Sequence, residues 1–249
     1  GVWKEREVPV RLPRFAARVL SLAFLCSAAS AYAAPSCPPR TPAADEPFLE
    51  EAPTIPAQYA AIMSASKTDL AIVTDTKKSV CVRLGWIFKL DGFWNSPDMR
   101  FVGFSISGYE YHGHILVDRR GEGKEIQTGA KPVFSPDGKH FAFAQVSDSG
   151  WGNLEGIGLW RTDKKGSSKV LSIENSEAAQ PLPYGTDWRV DRWRGNNRVE
   201  LSMIQEGDFA AGDDYEESIA KSPRKTYTIR RQGRGWKFAP DEGKKQPKP

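Results

Sequence analysis

The sequence predicts an all-β protein built from short antiparallel strands that are joined by tight turns. Three observations support this: short β-branched or aromatic runs, turn residues between them, and a segment that occurs twice. From about residue 69 onward, no stretch of roughly 12 residues has the apolar spacing of an amphipathic helix. The chain of 249 residues is 39% hydrophobic and 27% charged, which excludes a disordered or multi-span membrane protein.

Residues 1–33 have the features of an export signal. Three arginines between positions 11 and 18 supply a positive start, and residues 19–32 are apolar or small without a charge. Ala31-Tyr32-Ala33 then offers the small residues that a signal peptidase requires. The apolar run is shorter than the roughly 20 residues that span a bilayer. We therefore expect a signal peptide, no membrane span after its removal, and a periplasmic or secreted protein. The alternative is a buried or membrane-anchoring N-terminal helix.

Removal of the signal peptide changes the charge of the chain. The whole sequence has 35 basic and 31 acidic residues and a formal charge of +4. Five of the basic and two of the acidic residues lie in residues 1–33, so the remaining 216 residues carry a net charge of +1. Such a chain has no field that would attract a phosphate backbone. We therefore expect no nucleic-acid partner.

Two of the three cysteines, Cys37 and Cys81, remain in the exported chain. Their simplest use in an oxidising compartment is one disulfide. It would join the N-terminal segment to the first strand region and add roughly 3–4 kcal/mol in the chain-entropy model. The alternative is two free thiols. Cys37 lies in residues 34–58, which hold seven prolines and are predicted to form an extended lead-in.

The body of the chain, residues 59–240, contains a regular series of strand-like runs separated by Gly, Asn, Asp or Lys-Gly turns. The clearest predicted strands are Leu70–Val73, Val80–Val82, Phe101–Phe104, Ile115–Val117, Phe141–Phe143, Ile157–Trp160, Lys169–Ile173, Val199–Met203 and Thr226–Ile229. The last residues, 241–249, are polar and rich in Lys and Pro. We expect this tail to be disordered.

One segment of this body occurs twice. Residues 94–104 and 133–143 both contain Ser-Pro-Asp, then a turn residue, a basic residue and alternating apolar positions. Further strands follow each copy, and weaker copies occur at 64–73 and 191–201. A repeat of about 40 residues made of short antiparallel strands is typical of one propeller blade. The length of the body predicts blade-like meanders in a small or incomplete β-propeller of about four blades. The alternatives are an open stack of blades and a sandwich.

The two turns, Ser96–Asp98 and Ser135–Asp137, resemble the Ser-Pro-Asp-Gly repeats of bacterial WD-repeat-like propellers of the TolB type. The resemblance covers residues 90–174 well and 64–240 loosely. It implies a propeller fold. Because such propellers include scaffolds as well as the non-catalytic domains of peptidases, it implies little about function.

No catalytic constellation and no cofactor is predicted. The segment nearest to a Gly-x-Ser-x-Gly motif is Gly103–Ser107, which lacks the closing glycine and lies in a repeat strand. Asp98 and Asp137 recur at the same position of the repeat, and this recurrence favours a turn role over acid–base catalysis.

The best metal-site candidates are His112 and His114. Residues two apart on a strand share one face, so both could chelate a cation with a carboxylate such as Glu110 or Asp118. The alternative is that they are solvated histidines at the end of a hairpin, with Gly113 in the turn.

Two insertions are the best candidates for function. Trp151 lies between glycines in an insertion that interrupts the second copy of the repeat, and an exposed Trp is a stacking anchor for a sugar or a protein. Tyr109, Tyr111 and His112 are the other predicted binding residues. The alternative for Trp151 is that it folds back over a neighbouring blade. The second insertion, residues 206–224, is acidic, and we expect a mobile solvated loop rather than a calcium site.

A basic-aromatic patch lies further along the chain. Its tryptophans are Trp188 and Trp193, and its arginines are Arg189, Arg192, Arg194 and Arg198. We expect cation–π pairs on a solvated face rather than a ligand site.

These features predict an exported, non-enzymatic, propeller-like binding or scaffold module. It would recognise a protein or an envelope component such as a glycan through its hairpin loops. The alternative is an envelope hydrolase or metal-dependent enzyme that uses His112 and His114.

Overall fold

The computed structural model describes residues 34–39, 41, 49–108, 112–146, 156–174, 181–183, 185–205, 207–212 and 214–240. Within these residues the chain is all-β with one short α-helix, which confirms the predicted fold class. It forms one antiparallel sheet of three strands and three of four strands. Neighbours in each sheet are consecutive in sequence, so every sheet is a meander.

The strands follow one another along the chain in four groups. The first sheet consists of β1 (Met63–Ala65), β2 (Asp69–Val73) and β3 (Ser79–Arg83). The second consists of β4 (Lys89–Asn95), β5 (Phe101–Ser107), β6 (His112–Asp118) and β7 (Lys124–Gln127). The third consists of β8 (Val133–Phe134), β9 (His140–Gln145), β10 (Gly156–Asp163) and β11 (Gly166–Glu174). The fourth consists of β12 (Gly185–Trp193), β13 (Arg198–Gln205), β14 (Lys225–Gln232) and β15 (Gly235–Pro240). A 3-10 helix, Ala57–Tyr59, precedes β1, and the α-helix α1, Tyr215–Lys221, lies between β13 and β14.

The sequence repeat corresponds to a structural repeat. Its two copies lie in the second and third sheets, where the strands that contain them pair in the same register. Phe101 on β5 pairs with Asp118 on β6, and the corresponding His140 on β9 pairs with Arg161 on β10. Equivalent positions of the two copies therefore occupy equivalent positions in the two sheets, as expected for two copies of one blade.

Hydrophobic cores lie between successive sheets. The first core joins the first two sheets through residues such as Leu70 and Phe104, the second joins the middle two through Phe101 and Phe141, and the third joins the last two through residues such as Leu201. Alternate residues of a central strand therefore face different neighbouring sheets, which explains apolar runs that do not alternate with polar residues. Within the described residues no core joins the first sheet to the fourth, and the blade-like arrangement is not closed.

The lead-in covers the outer face of the first sheet. Cys37 and Cys81 lie at disulfide distance, with their Cα atoms 5.7 Å apart. Cys81 pairs with Ala71, on the face of the sheet opposite to the first core. Ser64 also donates a hydrogen bond to the carbonyl of Pro35. Residues 34–39 are therefore held against a face that no other sheet covers in the described part of the chain.

Two predicted segments, the signal peptide over 1–33 and the tail over 241–249, lie outside the described residues. No helix in the residues that the structure describes is long and apolar enough to cross a membrane.

The acidic insertion differs from the expected loop because α1 forms within it. Asp214 caps the helix by accepting a hydrogen bond from the Glu217 amide at 2.8 Å. Acidic residues in the first turn and Lys221 in the last complement the helix dipole.

Candidate binding surface at one end of the sheets

The connections between strands lie at two opposite ends of the sheets, because every sheet is an antiparallel meander. One end, here called the turn end, holds the turns between β2 and β3, β4 and β5, β6 and β7, β8 and β9, β10 and β11, β12 and β13, and β14 and β15. The other, the loop end, holds the remaining connections, including those between sheets.

Hydrogen bonds between neighbouring sheets show that the turn ends of all four sheets lie together. The amide of Asp75 donates to the carbonyl of Arg119 at 2.8 Å, which joins the first sheet to the second. Ser167 donates to Asp118 at 2.6 Å, which joins the second to the third. The amide of Asp137 donates to the side chain of Asn196 at 3.1 Å, which joins the third to the fourth. The loop ends therefore also lie on a common side.

The two Ser-Pro-Asp turns have the same hydrogen bonds. Ser96 donates to Asp98 at 2.6 Å, and Ser135 donates to Asp137 at 2.7 Å. Each aspartate also accepts a bond from the backbone amide two residues later. The hydrogen bond from Ser96 is the main reason why the pKa of Asp98 lies below its ordinary value. Both aspartates therefore act as turn residues.

A buried ion pair lies at the same end. Arg100 makes a bidentate contact with Asp118, with both N–O distances at 2.9 Å. The side chain of Asp118 is 1% exposed and that of Arg100 is 12% exposed. The hydrogen bonds to Asp118 raise the pKa of Arg100 above its ordinary value. Because Asp118 also accepts the bond from Ser167, the ion pair contributes to the junction between two sheets.

The loop end exposes large aromatic side chains. The exposed large hydrophobic residues of the described chain are Trp86 (61%), Phe88 (55%), Phe209 (41%) and Tyr215 (59%). All four lie in connections at the loop end, or in the helix within one of them. The turn end has no such residue in the described part of the chain.

Trp86 and Phe88 project from a short connection that is fixed at both ends. Leu84 and Ile87 are buried in the first core, so that the other two side chains of Leu84–Phe88 face outward. The Phe88 amide donates to the carbonyl of Ser107 at 2.8 Å. Trp86 has a φ of 66°, a left-handed conformation that costs a bulky residue about 1–2 kcal/mol. Lys77 and Met99 at the turn end also have positive φ, so this conformation alone does not distinguish the two ends.

Phe209 and Tyr215 form a second aromatic unit at the loop end. Their rings are stacked, with centroids 5.7 Å apart and planes inclined by 27°. Tyr215 is the first residue of α1, and the Ala210 amide donates to Ser222 just beyond the helix, at 2.8 Å. These contacts hold the pair against the short helix and leave both rings exposed.

Of the predicted binding residues, the structure describes only His112, which is exposed at the start of β6. His112 pairs with Ser107, the residue that accepts the bond from Phe88, so it lies at the loop end. Tyr109, Tyr111 and Trp151 lie outside the described residues. Trp86, Phe88, Phe209 and Tyr215 are not among the predicted binding residues, although the last two lie in the second predicted insertion, residues 206–224. Gly85 and the position of Trp86 between two predicted strands are the signals that could have indicated the first of these.

His114 lies in the interior, not in a solvated hairpin. Its Nε2 accepts a hydrogen bond from the indole N–H of Trp94 at 2.9 Å, and its Nδ1 lies 2.8 Å from the hydroxyl of Thr128. Burial is the main cause, and the charge of Lys131 the smaller one, that together lower the pKa of His114 to about 4. Gly103 makes room for Trp94, since a Cβ there would lie 2.4 Å from the indole nitrogen.

The metal-site candidates therefore have different surroundings. His112 is exposed, whereas both ring nitrogens of His114 already have hydrogen-bond partners. No group of three or more His, Cys, Asp or Glu side chains in the described residues is arranged to hold a metal ion.

The basic-aromatic patch divides between two sides of the fourth sheet. Trp188 and Trp193 are buried in the third core, and Trp193 donates to the carbonyl of Val133 at 2.9 Å. Arg192 and Arg194 instead contact Glu200 at 2.6 and 3.0 Å. In the part of the chain that the structure describes, burial of the tryptophans and ion pairs of Arg192 and Arg194 account for this patch, whereas cation–π pairs on a solvated face were expected.

Comparison of the chain with protein-family models, with curated proteins and with solved structures found no match. The resemblance of the Ser-Pro-Asp turns to TolB-type propellers stays a prediction, and function is inferred from the geometry of the chain itself.

Proposed function

We propose that the chain is an exported, non-enzymatic binding or scaffold module that recognises a partner through the loop end of its sheets. One observation carries this proposal: all the exposed large aromatic side chains of the described residues lie at that end. Single exposed apolar residues are common on protein surfaces, whereas several on the loops at one end of a scaffold are typical of a recognition site.

The rest of the molecule suits a scaffold that presents such loops. The turn end is joined across all three sheet junctions by hydrogen bonds, and a core lies at each junction. Sites built on rigid elements hold their binding groups more precisely than sites on mobile loops alone. The cysteine pair supports export, because disulfides persist in oxidising compartments.

A metal-dependent reaction finds less support than binding. It would need His114 as a ligand, but this histidine is engaged by Trp94 and Thr128 in the interior. Freeing its Nε2 would leave the indole N–H of the half-buried Trp94 without its acceptor, which is unfavourable.

Site-specific photo-crosslinking in cells of the source organism tests the proposal. The variant Phe88→p-benzoylphenylalanine places the reactive group at the loop end, and Lys165→p-benzoylphenylalanine is the matched control at the turn end. We expect discrete adducts from position 88 and few from position 165. Adding Trp86→Ser, with folding checked by circular dichroism, should reduce the adducts of position 88. Adducts that form mainly from position 165, or from neither position, would contradict a recognition role for the loop end.

A further inference from the structure

The unbalanced basic residues of the turn end are concentrated on two of the four sheets. The turns and adjoining strand ends of the first two sheets contain five basic and four acidic residues, in segments 74–78, 96–100 and 118–123. Those of the last two sheets contain seven basic and two acidic residues, in segments 135–139, 161–165, 194–197 and 231–234. The structure describes every one of these residues. The excess of positive charge therefore belongs to the third and fourth sheets.

The two copies of the repeat differ in charge at equivalent positions. The strand register places Arg161 in the second copy where the first copy has Asp118. Lys139 likewise stands where the first copy has Arg100. In the first copy the carboxylate contacts the arginine at 2.9 Å and balances its charge. In the second copy both positions carry a positive charge, so this internal compensation is missing.

Two arginines face the junction between the third and fourth sheets. Arg161 lies on the same side of β10 as Ile157 and Leu159, which belong to the core between these sheets. On the fourth sheet, Arg231 lies on the same side of β14 as Ile229, which belongs to the same core. The two arginines therefore approach the turn end of the junction from opposite sheets, and both are exposed.

His140 lies in the same junction and responds to the charges around it. Its ring contacts an aromatic ring of the fourth sheet, with centroids 5.3 Å apart. Burial is the main reason why the pKa of His140 lies below its ordinary value, while the charge of Asp137 raises that pKa. The charges of Arg231, Arg161 and Lys139 lower the pKa further. All three cations are therefore close enough to His140 to act on its ring.

The carboxylates near this cluster are engaged in turns. Asp137 and Asp163 each accept a hydrogen bond from a backbone amide two residues later in the chain. Asp163 approaches the guanidinium of Arg161 only to 3.8 Å, and the arginine side chain is 56% exposed. No described carboxylate lies within 4.0 Å of the charged nitrogens of Lys139 or Arg231. The cluster therefore keeps a positive charge that is accessible from solution.

We infer that Lys139, Arg161 and Arg231 form a binding site for a phosphate group at the turn end of the junction between the third and fourth sheets. A phosphate group with two negative charges on a tetrahedral set of oxygens can contact several cations at once, whereas a carboxylate is planar and singly charged. Guanidinium groups also donate bidentate hydrogen bonds to phosphate oxygens. The bound group would supply at this junction the negative charge that Asp118 supplies at the preceding one.

NMR titration of the full chain with inorganic phosphate, at neutral pH and constant ionic strength, tests the inference. The ring signals of His140, assigned by their loss in His140→Gln, report on the site. We expect saturable shifts and an affinity for phosphate about tenfold or more above that for acetate. Arg161→Gln and Arg231→Gln should each weaken phosphate binding about fivefold or more.

Two further variants separate a built site from the general charge of the turn end. Arg120→Gln is the matched control, because it removes an exposed arginine that contacts Asp75 at the junction of the first two sheets, and it should leave phosphate binding unchanged. Arg161→Asp copies the carboxylate of the first repeat into the second. It should abolish phosphate binding and raise the urea midpoint in phosphate-free buffer. Circular dichroism checks that each variant is folded.

Vesicles distinguish the two sources of such a phosphate group. Co-sedimentation with phosphatidylcholine vesicles that contain phosphatidic acid, weakened by Arg161→Gln, would identify a lipid head group as the source. Binding of inorganic phosphate without co-sedimentation would identify a soluble phosphate. Absence of saturable shifts, equal affinity for phosphate and acetate, or an equal loss in Arg120→Gln would each overturn the inference. Crosslinks from position 88 concern the opposite end, so the proposed function stands or fails separately.

Discussion

The two ends of the sheets are made of the same kind of element, a connection between antiparallel strands, and yet they are held together differently. At the turn end the connections have two to five residues, and hydrogen bonds from them or from the adjoining strand ends cross every sheet junction. At the loop end they have three to 19 residues and expose aromatic rings. The comparison suggests that one end fixes the sheets in place, which leaves the other free to vary in length and composition.

The first prediction has the largest expected effect. It tests whether contacts at the turn end stabilise the folded protein. Asp118→Ala should lower the free energy of unfolding by about 3–5 kcal/mol, because Arg100 keeps its buried charge and loses its partner. Urea denaturation measures this change. The control is Glu122→Ala, which breaks the exposed contact with Lys78 and should cost about 0–1 kcal/mol. Similar losses in both variants would show that the Arg100–Asp118 pair does not stabilise the sheet junction.

A second prediction concerns His114, which lies in β6 on the loop-end side of Asp118. Between pH 6.5 and about 4 the unfolded chain binds a proton at this side chain and the folded protein does not. Stability should therefore be intact above pH 6.5 and fall as the pH drops, by about 3 kcal/mol in total from this residue.

Urea midpoints at pH 7.5, 5.5 and 4 measure this dependence. His114→Gln keeps an acceptor for Trp94 and removes the titration, so its stability should fall less over the same range. The comparison with wild type is needed because burial also lowers the pKa of His140, which adds a loss of the same sign. An identical fall in the variant would show that His114 is not the group responsible.

The third prediction uses a turn-end residue in the left-handed conformation. Gly138 has a φ of 65°, and a Cβ built on it meets no atom within 4 Å. Gly138→Ala should therefore lose about 1 kcal/mol from the backbone alone. Thermal or urea unfolding would detect the loss, whereas a neutral result would indicate that the turn can change its conformation at no cost.

The smallest effect on stability is expected for a residue at the loop end that has the same left-handed backbone conformation as Gly138. Trp86 has nearly the same φ, 66°, but carries a large exposed side chain. Trp86→Gly should leave the free energy of unfolding within about 0.5 kcal/mol of wild type, because relief of the backbone strain offsets the lost contacts. Crosslinking from position 88 should nevertheless fall. A large loss of stability would indicate that Trp86 is a structural residue and not a binding residue.

The fold class was predictable because its signals are local. The Ser-Pro-Asp turns, the short β-branched strands and the 39-residue offset all lie within single repeats, where turn chemistry and periodicity act. The helix α1 also had a local signal, Asp214 followed by Glu217, but it was hidden in an acidic stretch that resembles a solvated loop.

The site was less predictable because its determinants are not local. His114 owes its burial to Trp94 and Thr128, which are 20 and 14 residues away along the chain. The exposure of Trp86 depends on its positive φ. Positive φ is uncommon for residues other than glycine, so the sequence does not predict it at this position. The apolar run from Leu84 to Phe88 resembles a buried strand, and only the folded chain shows which of its side chains face outward.

The cysteine pair also determines how the chain would transmit force. Once Cys37 and Cys81, 44 positions apart in sequence, are bonded, a pull on the residues before Cys37 reaches β3 directly. The segment between the two cysteines, which includes β1 and β2, then bears no load. In the reduced chain the same pull would first have to draw out that segment, whose extended length is about 150 Å. The oxidation state of one pair therefore decides whether the protein is held on a short, stiff tether or on a long, compliant one.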